Sequence, residues 1–184
     1  GGQFAVHKYP KDDTAVDGGA TPRSMTMAYT HAERLSALDQ SFLAIEDAHC
    51  HMHIGAVAIF EAAPVRSPGA GIDIDKIHRL MEAGIHRTPR YRQRLAWSPI
   101  LRHPVWVDDE RFNLAYHLRH THLPLPGDER SLKRLAGRLM SQQLDRGKPL
   151  WEMWIVEGLP EARVALITKI HHCMVDGIGG ASLM

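Results

Sequence analysis

The chain has 184 residues, 44 % hydrophobic and 23 % charged, a balance that suits one folded domain with a sizeable core. Its 22 lysines and arginines face 21 aspartates and glutamates, so the basic excess of a nucleic-acid-binding protein is missing. Two cysteines, Cys50 and Cys173, make no disulfide framework, and no apolar run approaches the roughly 20 residues that span a bilayer. These features predict a reduced, cytoplasmic protein that meets any membrane or lipid inclusion from the side.

Residues 1–30 read as a disordered leader, because the Gly1-Gly2, Lys11-Asp12-Asp13 and Gly18-Gly19 stretches offer no apolar period. Residues 31–184 read as one α/β domain. Leu35, Leu38, Phe42 and Ile45 keep helical spacing, with Ser36 and Asp39 placed as a capping box, which predicts a helix buried along that stripe. His51 to Glu61 alternates as a strand. Asp73 caps a helix through His86, with Ile77, Leu80, Met81 and Ile85 on one face and Pro89 marking its end. Pro104–Asp108 and Phe112–Leu123 read as short strands. Pro126-Gly127-Asp128 opens a helix through about Leu144, with Leu132, Leu135, Leu139 and Met140 inward. Trp151–Gly158 and Arg163–Ile170 then read as strands joined by a turn at Gly158-Leu159-Pro160-Glu161.

The last strand delivers His171 and His172, followed by Cys173-Met174-Val175-Asp176-Gly177 and the glycines 179 and 180. Neighbouring strand residues face opposite ways, so one histidine faces a cavity and the other faces packing. An imidazole titrates near neutral pH and suits a general base. Glycine keeps side chains out of a substrate path. A histidine pair alone is unremarkable in a chain with 13 histidines, but the full pattern His-His-x-x-x-Asp-Gly arises by chance in on the order of one such chain in a hundred.

That pattern resembles the signature of the CoA-dependent acyltransferase superfamily. Leu35 to Leu43, Met52-His53-Ile54-Gly55 and Pro149-Leu150-Trp151 are similar to segments of its bacterial wax ester synthase/diacylglycerol acyltransferase branch, and the likeness covers residues 31–184. The resemblance implies a chloramphenicol-acetyltransferase-like domain, a mixed sheet flanked by helices, forming the first half of a two-domain enzyme. It implies transfer of a fatty acyl group from acyl-CoA, a substrate, to diacylglycerol or a long-chain alcohol, with no cofactor and no metal. His172 would be the general base, His171 supporting, Asp176 structural and held by an arginine from later in the chain. Gly177 would leave substrate room, and Pro149, Leu150 and Trp151 would shape substrate binding. The second domain would be a partner, in the same or a cleaved chain. Two alternatives are a condensation-type acyltransferase acting on carrier-bound substrates and a non-catalytic acyltransferase-like binding module.

Other clusters have plainer readings. His49, His51 and His53 share one strand face, as metal ligands would, but no fourth ligand accompanies them. His117, His120 and His122 read as packing or surface residues. Arg87, Arg90, Arg92 and Arg94 could hold CoA phosphates, or simply cluster at a helix end. Cys173 reads as an apolar filler rather than a nucleophile.

Overall fold

The computed structural model describes residues 7–8, 32–67, 71–98 and 102–175. Two four-stranded sheets carry the fold. The first, in the order β1-β4-β5-β2, joins β1 (His7–Lys8), β4 (Gln93–Ser98), β5 (His103–Asp108) and β2 (Glu33–Arg34), all antiparallel. The second, in the order β3-β8-β7-β6, is mixed: β3 (His53–Glu61), β8 (Arg163–His171) and β7 (Trp151–Glu157) run antiparallel, while β6 (Leu118–His122) lies parallel to β7. Apart from His7–Lys8, the leader expected over residues 1–30 lies outside the described residues.

The second sheet is covered on one face by α4 (Glu129–Met140), whose Leu132, Leu135 and Leu139 pack on Val156, Ala165 and Ile167. Asp128 caps this helix by accepting from the Ser131 N–H at 2.9 Å. Gly127 sits just before it with φ +68°, where an added Cβ would meet the Gly158 carbonyl oxygen at 1.8 Å. Only glycine lets the turn into α4 pass so close to the β7–β8 hairpin. Toward the other face stands α2 (Ile74–Ile85), capped by Asp73, whose side chain accepts from the Lys76 N–H at 2.8 Å. Its Ile77 and Met81 pack against the larger core, in which Leu95 and Trp106 of the first sheet meet Trp151 and Ile155 of the second and Leu150 just before it.

Three expectations need correcting. Helix α1 (Ala37–Ile45) forms with Ser36 as its cap, but Leu38 and Ile45 are exposed and the buried stripe is Leu35, Asp39, Leu43 and Glu46. A buried ion pair, described below, turns that face inward. The strand expected over Phe112–Leu123 begins with one helical turn, α3 (Leu114–His117), because Asn113 takes the Ala115 N–H. Helix α4 stops at Met140, four residues short of Leu144, where side chains from β8, β3 and the residues before β3 bond its last carbonyls. Strand β4 was not expected at all.

Candidate functional site

Strand β8 lies between two partners, and its alternation sorts its residues by face. Thr168 and Ile170 line an apolar trough on the α2 side, whereas Lys169 and His171 are buried on the other. The Lys169 ammonium donates to the Leu139 carbonyl at 2.9 Å and to the Gln142 carbonyl. His53 Nε2 donates to the Met140 carbonyl at 2.7 Å and His51 Nε2 to the Ser141 carbonyl at 3.1 Å. Three side chains thus bond four successive carbonyls, Leu139 to Gln142, at and just past the end of α4, where helical partners run out. Burial lowers the pKa of Lys169 and of His53. Of His49, His51 and His53, the latter two thus serve the helix end, and among the described residues no three His, Cys, Asp or Glu side chains group closely enough to hold an ion.

At the end of β8 the two signature histidines part company. His171 is fully buried, and its N–H donates to the Leu150 carbonyl at 3.0 Å. His171 Nδ1 accepts the Cys173 N–H at 3.1 Å, capping the 3-10 turn His172–Met174. An accepting Nδ1 carries the lone pair, so the ring proton of His171 sits on Nε2. The His172 N–H donates to the Met52 carbonyl at 2.9 Å. The His172 ring is half-buried and stacked on Phe42, with centroids 4.7 Å apart and planes 24° off parallel.

Beneath this turn lies a carboxylate that sequence reasoning passed over. Glu46, immediately after α1, has a side chain only 1 % exposed. Glu46 Oε1 accepts the Met52 N–H at 3.2 Å, and Oε2 accepts Arg146 Nε at 3.1 Å and Nη2 at 2.9 Å. His171 Nε2 faces the same Oε2 at 3.4 Å, which is long for a hydrogen bond, and no better-placed acceptor reaches that nitrogen among the described residues. Burial works to raise the Glu46 pKa, but His171, Arg146 and the Met52 N–H outweigh it and hold the group at about 2. Arg146 Nη2 also donates to the Leu43 carbonyl at 3.0 Å, tying α1 to the loop after α4.

The remaining candidates fall out unevenly. Asp176 and Gly177 lie outside the described residues. Pro149, Leu150 and Trp151 are buried, and the Trp151 indole N–H donates to the Tyr91 carbonyl at 2.9 Å while its ring helps wall the trough. Cys173 is buried, and burial pushes its thiol pKa up, against thiolate formation. The arginine cluster is dispersed. Arg90 is buried, paired with Glu33 at 2.8 Å and lying 4.5 Å over the Trp106 ring. Arg94 reaches toward Asp109 at 3.9 Å, and Arg92 leans on Phe112 at 5.7 Å. His117 is buried between Phe112 and Trp151, and His120 contacts Glu157 at 2.7 Å.

The trough beside the motif has a volume of about 200 Å³ and is walled by Tyr91, Trp151, Ile170 and Val175. A wider one of about 620 Å³ follows on the same side of the sheet, between α2 and the strands, with Ile77, Leu80, Met81 and Leu166 in its lining. Met153 borders both.

This mixed α/β architecture is that of chloramphenicol-acetyltransferase-like acyltransferases. The starter condensation domain of rhizomide synthetase, solved in complex with C8-CoA, matches 77 % of the chain and 31 % of its own with a TM-score of 0.60 at 11 % identity, a likeness of fold alone. A wax ester synthase/diacylglycerol acyltransferase from Marinobacter aquaeolei VT8 matches 79 % of the chain and 35 % of its own, with a TM-score of 0.63 and 35 % identity. Residues 35–184 match the wax ester synthase/diacylglycerol acyltransferase catalytic domain, and the chain belongs to that family. The probable diacylglycerol O-acyltransferase tgs3 of Mycobacterium tuberculosis is 39 % identical over 146 residues, which are 79 % of this chain and 52 % of the relative. Its counterpart tgs1 from the same organism is 40 % identical over 153 residues, 82 % of this chain and 32 % of the relative. The chain therefore spans between about a third and about half the length of these relatives. Among the described residues, no helix is long and apolar enough to cross a membrane.

Proposed function

We propose that the chain carries the catalytic base of an acyl-CoA-dependent O-acyltransferase that esterifies diacylglycerol or a long-chain alcohol. One observation carries the reading: of the two signature histidines, His171 is locked in the core while the His172 ring is half-exposed, with no hydrogen bond to either nitrogen among the described residues. A ring nitrogen of His172 takes the proton of the acceptor hydroxyl as its oxygen attacks the thioester carbonyl. The carbon–sulfur bond breaks, the ester forms, and the CoA thiolate recovers the proton from the imidazolium. His171 supports this by capping the turn that holds His172. Asp176 is read as holding the following loop and Gly177 as leaving room beside the base.

The apolar troughs suit fatty chains laid along the sheet, and Trp151 of the Pro149-Leu150-Trp151 segment walls the nearer one. The opposite wall is assigned to the part of the enzyme that the longer relatives possess. Residues 31–184 form the first of the two domains, and no cofactor is needed because acyl-CoA is itself consumed. We place the working enzyme in the cytoplasm, and water-insoluble acceptors would set it against a membrane or lipid inclusion.

The test is His172→Ala in the full-length protein, assayed with acyl-CoA and either acceptor. Loss of a general base costs on the order of 10²–10⁴ in kcat. Activity that survives the substitution in a folded protein overturns the assignment. Turnover without carrier protein separates this reading from a condensation enzyme.

A further inference from the structure

We infer that Glu46, gripped by Arg146, is the positioning residue that sets the His172 ring for proton transfer. The inference rests on the reading of His172 as base. Glu46 reaches the motif by two independent routes that end on consecutive residues. Along the first, Glu46 Oε1 accepts the Met52 N–H, and the carbonyl of the same Met52 accepts the His172 N–H. Along the second, Glu46 Oε2 faces His171 Nε2 at 3.4 Å, and His171 Nδ1 accepts the Cys173 N–H. The carboxylate therefore favours the one His171 tautomer that can cap the turn. The third support comes from α1 itself, since Phe42, one helical turn before Glu46, stacks on the His172 ring.

Stability alone does not account for this arrangement. A buried ion pair contributes little net stability, because desolvating both charges consumes most of their attraction, and apolar replacements are often neutral or better. What the Glu46–Arg146 pair supplies is direction. Its oxygens face Met52 and His171, which accept the two peptide N–H groups flanking the base, and Arg146 holds Oε2 through two nitrogens. Without that grip His171 could turn its ring or exchange its tautomer, and the His172 imidazole would drift from the reacting hydroxyl. Misplacement by about 1 Å is enough to cost on the order of 10² in rate.

The experiment is a cycle of Glu46→Gln and His172→Ala in the full-length enzyme, with kcat and KM for acyl-CoA measured alongside thermal unfolding. The amide keeps the volume and loses the charge. Glu46→Gln alone is expected to lower kcat by about 10- to 100-fold with KM within about twofold. In the His172→Ala background the same change should alter the residual rate by less than about twofold, since there is no base left to place. Unchanged kcat in Glu46→Gln overturns the inference while leaving the base in place. A double variant slower than His172→Ala by the factor seen for Glu46→Gln alone also overturns it, because that pattern reports lost folded protein. Full activity in His172→Ala instead removes the base reading and this inference with it. Should Glu46→Gln not fold, Arg146→Lys keeps the charge but not the two-nitrogen grip. A kcat reduced by about 3- to 10-fold at unchanged KM is then expected, and an unaltered kcat counts against the proposal.

Discussion

Helices α1 and α4 begin alike and end differently. Each has a side-chain cap, Ser36 taking the Asp39 N–H at 3.1 Å and Asp128 taking the Ser131 N–H at 2.9 Å. Helix α4 buries only leucines, and its exposed Lys133 and Glu129 pair at 2.6 Å on the solvent side. The stripe that α1 and its flanks bury alternates leucine with acid, from Leu35 through Asp39 and Leu43 to Glu46, while Leu38 and Ile45 stay exposed. A helix that serves as scaffold shows its apolar stripe to the core. The helix beside the site turns acids inward, and at its end Glu46 meets a cation, Arg146, and the His171 imidazole there. In this molecule α4 holds the sheet, and α1 holds the signature turn.

The largest expected effect lies at the α1 end of the comparison. Arg146→Ala leaves the Glu46 carboxylate buried without its cation, and about 3–5 kcal/mol of stability should be lost in denaturant titration. A shift below about 1 kcal/mol would mean that the inward charges are not held as described. The same carboxylate gives the protein an acid limb. Its folded pKa of about 2 lies below the ordinary 4.5, so its contribution is complete above pH 4.5 and fades as pH falls toward 2. Glu46→Gln should flatten the stability profile across that window, and an unaltered profile would contradict the shift.

In α4 the response should be stability without chemistry. Leu135→Ala opens a cavity over the sheet and should remove about 2–5 kcal/mol, with kcat per folded molecule unchanged. A changed kcat at full folding would erase the distinction between the two helices. Asp128→Ala removes the α4 cap and should lower stability by about 1 kcal/mol in the same titration. Smallest of all, Leu38→Ser on the exposed side of α1 should stay within about 0.5 kcal/mol. A larger loss would restore the leucine stripe to the core.

Much of the frame could be read from local pattern. The leucine period of α4, the cap at Asp73, the alternation of β7 and β8 and the position of the histidine pair at a strand end all appear where expected. Strand β4 escaped notice because Gln93 and Ser98 are buried along with Leu95 and Ala96, so no polar alternation marks it. Its burial comes from β5 beside it and from the core around it, which a window of sequence does not contain. Of the arginine run that suggested phosphate binding, the tertiary structure sets Arg90 on Glu33 and Trp106 and turns Arg94 toward Asp109.

By itself the sequence determined the signature, the strand that leads into it, the leucine face of α4 and hence the family. Only the tertiary structure decided which histidine is locked, which face of α1 is inside, and that Glu46 meets Arg146 across 100 residues of chain. The reason is physical. Apolar periodicity reports burial where no charge competes for the inner face, as in α4, since apolar side chains leave water whatever their apolar neighbours are. A charge enters the core only with a counter-charge or hydrogen-bond partners beside it, and the identity of those neighbours is a property of the folded chain alone.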